Sequence, residues 1–350
     1  MKRLPIILGA LVFFLVGFIF LRGPIPNITI APEELTKAGP IKITNTMFTS
    51  WCIVLLLAVS IFLVTRRKWT LIPGGVQNFI EAAVEAFYNL VVGIAGEENG
   101  RKFFPVVATI FFFVVISNWL SLTPIFNVVG FTSDPEEVGF VMEQKSIGPF
   151  DVSYVPFSGP GTLSGDSISE SDGNAVEHHE KAVSEGKFVG ELIPLFRGIN
   201  TDLNTPLAIA IWSAIFVEFW GISSLGLFKY GKKFFNFSSP IAFFVGILEF
   251  FSEIIRLVSF TFRLFGNMFA GEVVLLMFTF MTPLLITLPF YGLELFVGVI
   301  QAFIFASLTL VFGVMAVSAH DDAHAAEHPG HPEEGSISDS IHDAIAEPIS

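Results

Sequence analysis

"FSEIIRLVSFTFRLFGNMFAGEVVLLM", residues 251–277, decides the reading of the chain. Its apolar content reads as membrane-buried helix, yet it carries Glu253, Arg256, Arg263, Asn267 and Glu272. The surrounding stretch from Pro240 to Met281 runs without an internal breaker as far as Pro283. At about 1.5 Å per residue such a helix is roughly 60 Å long, about twice the hydrocarbon thickness of a bilayer. It must therefore break near Gly266 or lie strongly tilted. Glu249, Glu253, Arg256 and Arg263 follow one another at helical spacing and share one stripe, which Asn267 continues, whereas Glu272 faces elsewhere.

An arginine near the bilayer centre costs about 2.5–3.5 kcal/mol even on the lenient insertion scale, so it is usually retained for a pathway, a sensor or a counter-ion. With a pKa above about 12, Arg263 cannot shuttle protons itself. Its useful property is a fixed positive charge that attracts a mobile carboxylate, forces it to ionise and blocks ion leak. Glu253 with Arg256 reads as an intramembrane ion pair holding helices together. A last span from about Tyr291 to Ser318 adds Glu294 and Gln301. If the chain reverses near Pro283, Glu272 meets Glu294, and Gln301 comes level with Phe265, close to Arg263. Facing carboxylates can share a proton and titrate as a pair, which fits a hydrated proton path stopping at a positive barrier. Two polar residues at a wet helix end are the simpler alternative.

Outward from this region the whole chain is apolar. Its 350 residues are 52% hydrophobic and 15% charged, with 41 phenylalanines, and its mean hydropathy is +0.69. That exceeds what a soluble core needs and indicates a polytopic membrane protein. The net charge of -13 resides in residues 134–191 and in the tail after Ser318. No nucleic-acid partner is expected, and the lone Cys52 gives neither a disulfide framework nor a metal site.

Residues 1–22 fit a secretory signal or a first span, and the lack of a small-x-small cleavage site favours an anchor. Residues 47–126 hold further spans, with an amphipathic helix over 73–95 expected on the membrane surface or against other helices. Residues 127–203 read as an acidic external loop, partly disordered for want of apolar content. Residues 204–318 carry the charged helices; Thr205 can cap the first of them, with Pro206 at its first position. In the tail, 319–350, His320, His324 and His328 could share a helix face, but Pro329, Pro332 and the acidity favour disorder. Basic residues at 66–68 and at 229, 232 and 233 mark cytoplasmic ends. The expected fold is all-α, a polytopic membrane protein with about five to six membrane segments, a surface helix and a long tilted helical hairpin at its C-terminal end.

"FRLFGNMFAGE" (262–272), followed by "QAFIFASLTLVF" (301–312), closely resembles subunit a of the rotary F-type ATP synthase. "NTDLNTPLA" (200–208), "IPGGVQNFIEAAVE" (72–85) and "NWLSLTP" (118–124) support the likeness. The resemblance implies that Arg263 is the stator arginine facing the ion-carrying carboxylate of subunit c. It implies an outer half-channel lined by Asn267, Glu272, Glu294 and Gln301, with Glu249 and Ser252 toward the inner one. Asp202 and Asn204 are further candidates for the entrance or for structure, as are Glu253 and Arg256. Implied partners are the c-ring, subunit b, lipid and protons, in a bacterial plasma membrane with the tail cytoplasmic. No cofactor or metal is expected, and no phosphate-binding loop is present. The competing reading is a self-contained, proton-coupled secondary transporter. Leu257, where many members of the family have proline, implies a straighter helix.

Overall fold

The computed structural model describes residues 9, 28–36, 42–66, 74–123, 125–133, 138–147, 150–154, 167–169, 187–234, 239–281 and 287–327. The anchor or signal expected over 1–22, residue 9 apart, and the tail from 328 onward lie outside these residues. A short antiparallel pair, β1 (Glu34–Thr36) and β2 (Ile43–Thr44), leads into α1 (Asn45–Arg66). Only the first turns of α1 are buried, at Asn45, Thr46, Thr49 and Ile53. Further along, Leu55 is 65% exposed and Phe62 54%, an apolar surface that suits lipid, because a helix satisfies its own backbone bonds and leaves only side chains to the membrane.

α2 (Val76–Ser121) folds back at Gly96, whose φ of 76° is a conformation open mainly to glycine. Phe87 on the first arm stacks on Phe111 of the second, with ring centroids 4.4 Å apart. The amphipathic helix expected over 73–95 is thus the first arm of a hairpin and packs against a helix, one of the two placements read from sequence. It buries Phe87 and Val91 against its own return arm and leaves Val76 and Phe79 exposed.

Where it is described, the loop over 127–203 is more ordered than its composition suggests. β3 (Gly130–Ser133), β4 (Val138–Ile147), β5 (Phe150–Tyr154), β6 (Ser167–Ser169) and β7 (Phe188–Pro194) form an antiparallel sheet in the order β3-β7-β4-β5, with β6 on β4. Val141 and Met142 are almost wholly buried. The pairing Gly130↔Pro194 joins distant parts of the loop, which local periodicity does not reveal.

A 3-10 turn (Ile199–Thr201) enters α3 (Asn204–Leu225). Thr205 is not its cap, nor Pro206 its first position: the helix begins two residues earlier, at Asn204 with Leu203 at the cap, and Asp202 Oδ1 accepts the Asn204 amide at 3.3 Å. α4 (Leu227–Phe234) is short, α5 runs Pro240–Met281 and α6 runs Thr287–Glu327. α5 is helical throughout, Gly266 included, so of the two expected ways to fit a membrane only tilting remains. α6 carries the helix through 319–327, part of the tail expected to be disordered; the alanine-rich "AHDDAHAAE" favours helix until Pro329.

Among the described residues, four helical segments are long and apolar enough to cross a membrane: Asn45–Arg66, Val76–Ser121, Asn204–Leu225 and Thr287–Val317. α5, at 42 residues, is also long enough to cross one. The chain is a multi-pass membrane protein. α6 is central, packing on α2, α3 and α5. Phe260, Leu264 and Met268 of α5 meet Ala302 and Phe305 of α6, Val114 of α2 and Ala210 of α3. In lipid such contacts hold by close van der Waals fit, which is why alanines occupy the crossings.

Candidate functional site

On α5 the inward residues Phe260, Leu264 and Met268 recur every fourth position and are at most 7% exposed. Phe262 is 57% exposed on the outer side, and Arg263 is half-buried between the two faces. Its guanidinium carbon lies 6.0 Å from the centre of the Phe260 ring. Among the described residues no carboxylate forms an ion pair with it. A fixed charge on an apolar helix, with no ion pair among the described residues, is suited to a counter-charge that arrives from outside.

Beyond Arg263, toward the C-terminal end of α5, the polar residues of the two long helices come together. Asn267 Nδ2 donates to Oε1 of Gln301 at 2.6 Å. Gln301 is 2% exposed. One turn further on, the Glu294 carboxylate lies directly over Gly271, where any side-chain carbon would collide with it. The reversal near Pro283 read from sequence thus sets the register within about two residues. The direct meeting of Glu272 with Glu294 is not observed. Glu272 instead accepts a hydrogen bond from Asn127 Nδ2, just after α2, and no hydrogen bond joins two carboxylates among the described residues. Glu272 Oε2 and Gln301 Nε2 are buried without a protein hydrogen-bond partner. Buried polar atoms of this kind are normally satisfied by water.

Asp202 and Asn204 belong to a polar cluster at the same end of the bundle. Asp202, 5% exposed, accepts the Thr46 hydroxyl at 2.9 Å and the Asn204 amide at 3.0 Å. Asn200 Nδ2 donates to Asn118 Oδ1 at 2.7 Å, and Asn118 Nδ2 donates to the Gly298 carbonyl at 3.2 Å. Arg197, also buried, donates to the Ala31 carbonyl at 3.0 Å. These bonds tie α1, α2, the 3-10 turn and α6 together. Sequence reasoning passed over Arg197, Asn118 and Asn127; "NWLSLTP" was the available signal, a polar residue at the end of an apolar span.

Before Arg263 lies a second polar cluster. Arg256 pairs with Glu253 on its own helix, and its guanidinium sits 4.2 Å from the Phe312 ring centre. Glu249 is half-buried nearby and Ser252 is exposed. A cavity of about 10 Å³ opens beside Arg256, Glu253 and Ser213, enough for about one water molecule. Arg256 precedes Arg263 by roughly 10 Å of helix rise and Glu272 follows it by roughly 13 Å. Two polar sectors therefore flank Arg263, with the apolar contacts of Phe260, Leu264 and Met268 between them.

Residues 47–313 match the family model described as ATP synthase A chain. The chain belongs to this family. Relatives named ATP synthase subunit a occur in Moorella thermoacetica, 29% identical over 83% of this chain and 99% of the relative, and in Gloeobacter violaceus, 28% identical over 82% and 90%. A protein named ATP synthase subunit a 3 in Pelobacter propionicus is 30% identical over 81% and 90%. The ATP synthase A chain match runs from α1 through most of α6 and includes every residue of the two polar sectors. Membership of this family does not favour a self-contained transporter.

Proposed function

We propose that the chain is the proton-translocating membrane stator of a rotary ATP synthase. The observation that carries this reading is the family match over residues 47–313. In this role the Asn267, Gln301, Glu272 and Glu294 sector forms an outer half-channel, with Asp202 and Asn204 bracing its mouth. Glu249 and Ser252 belong to an inner half-channel, and Glu253 with Arg256 braces it. Arg263 separates the two. A ring carboxylate passing Arg263 is held ionised by the guanidinium, whereas one facing lipid is favoured neutral. Proton uptake and release thereby become coupled to stepping of the ring. Nucleotide chemistry resides on other subunits.

The partners in this reading are the c-ring and subunit b, in a bacterial plasma membrane. Arg66 and Lys229, at helix ends, support placing those ends in the cytoplasm and the sheet-bearing loop outside. The test is Arg263→Lys in the assembled complex, measured as ATP-driven proton pumping in membrane vesicles. The expected result is loss of at least about tenfold with assembly retained, because an ammonium lacks the planar, delocalised fork of guanidinium. Near-normal pumping overturns the reading.

A further inference from the structure

The end of α3 and the short helix α4 bring an additional acid to the Arg256 cluster. Glu218 is half-buried on α3, and Tyr230 on α4 is 5% exposed. The Tyr230 hydroxyl faces the Glu218 carboxylate. Local sequence fixes this meeting. α4 follows α3 after the single residue Gly226, at φ 80°, and the Tyr230 amide donates to the Gly226 carbonyl at 3.0 Å. The ring then lies on Gly221, where any side-chain carbon would strike it.

Glu218 also faces Arg256, as does Glu249, while Glu253 pairs with the same guanidinium. Arg256 thus has one carboxylate partner on its own helix and another on α3. The water-sized cavity beside Arg256 is lined by Val217, the neighbour of Glu218, and reaches Phe260, which lies beneath Arg263. Glu218, Tyr230 and Arg256 thus gather on the side of Arg263 away from Gln301.

We infer that Glu218 is a further proton-transfer residue of the inner half-channel and that Tyr230 positions it. The inference rests on the proton-stator reading above. A hydronium ion on the inner side gives its proton to a Glu218 carboxylate oxygen and leaves as water. The carboxyl group then passes that proton to a water molecule on the Arg256 side and returns to carboxylate, so that one proton has moved. Tyr230 does not ionise: burial first, then the adjoining Glu218 carboxylate, keep its phenol far above the ordinary range. Its O–H therefore remains a donor that aims the carboxylate.

The experiment uses the whole ATP synthase in inverted membrane vesicles, carrying E218Q, E218D, Y230F or R263A in this chain. ATP-driven acidification is measured, then passive proton conduction after the soluble sector is stripped, with the content of this chain as the assembly control. The expected result is at least a roughly fivefold loss of conduction in E218Q, a modest share of what a positioned proton-transfer group can contribute. E218D recovers most of it, and Y230F falls between. Conduction by assembled E218Q within about twofold of wild type overturns the inference, as does a loss that E218D does not relieve, which is what a packing role would give. If E218Q fails to assemble, normal conduction in Y230F overturns it. R263A separates the two levels: normal pumping in R263A overturns the stator reading itself, whereas lost pumping in R263A beside normal E218Q overturns only the role of Glu218.

Discussion

The Asn267 side-chain amide donates to Oε1 of Gln301 at 2.6 Å, one turn of α5 beyond Arg263. The bond crosses the α5–α6 hairpin at Gln301, which is 2% exposed. Leaving one partner of a buried bond unsatisfied costs about 1–3 kcal/mol. Asn267→Leu and Gln301→Leu are therefore each expected to lower ATP-driven pumping by roughly tenfold, the equivalent of about 1.4 kcal/mol. Because both act through one bond, the double variant should be no worse than the worse single one. Additive losses in the pumping assay would show that the two amides act separately.

Asn127 stands at φ 60°, a conformation rare for residues other than glycine, and its side chain donates to Glu272. Asparagine tolerates that backbone better than most residues. Backbone and side-chain roles can be separated by substitution. Asn127→Gly keeps the conformation and removes the donor, so it should slow proton conduction severalfold while changing thermal stability little. Asn127→Ala should lose both, the left-handed backbone adding about 1–2 kcal/mol. Equal conduction in wild type and Asn127→Gly would remove Asn127 from the path.

How far the sequence revealed this site depends on the range of each contact. The charged stripe of α5 and the reversal before α6 were legible, because helical spacing and one proline set them locally. The Asn127 bond to Glu272 spans 145 residues, and nothing in the turn after α2 points to it. The β3–β7 pairing was hidden for the same reason, inside a loop whose average composition reads as disordered. Glu218 and Tyr230 were overlooked because each is an ordinary residue on its own helix. Only the tight α3–α4 connection makes them neighbours.

Gly271 is required by packing, since the Glu294 carboxylate occupies the space a side chain would take. Gly271→Ala should overpack the hairpin by about 1–3 kcal/mol, lowering both the thermal stability of the solubilised complex and its pumping. Shortening the acid in Gly271→Ala with Glu294→Ser should restore stability. It should not restore pumping, because the carboxylate is gone. Recovery of both would mean that Glu294 serves only to fill space.

Gly266 presents the opposite case. It lies inside the continuous helix α5, and no described residue approaches the position of a Cβ there. By helix propensity alone, alanine should stabilise this position by about 0.5–1 kcal/mol. Gly266 shares the outward side of α5 with Phe262, next to Arg263, so the missing side chain leaves room for something outside the chain to come close. If that is the passing ring, Gly266→Ala should raise the thermal stability of the isolated chain slightly and slow ATP-driven pumping, with Gly266→Val slowing it further. Two assays therefore have to move in opposite directions. Faster or unchanged pumping in both variants would place the ring against a different face of α5.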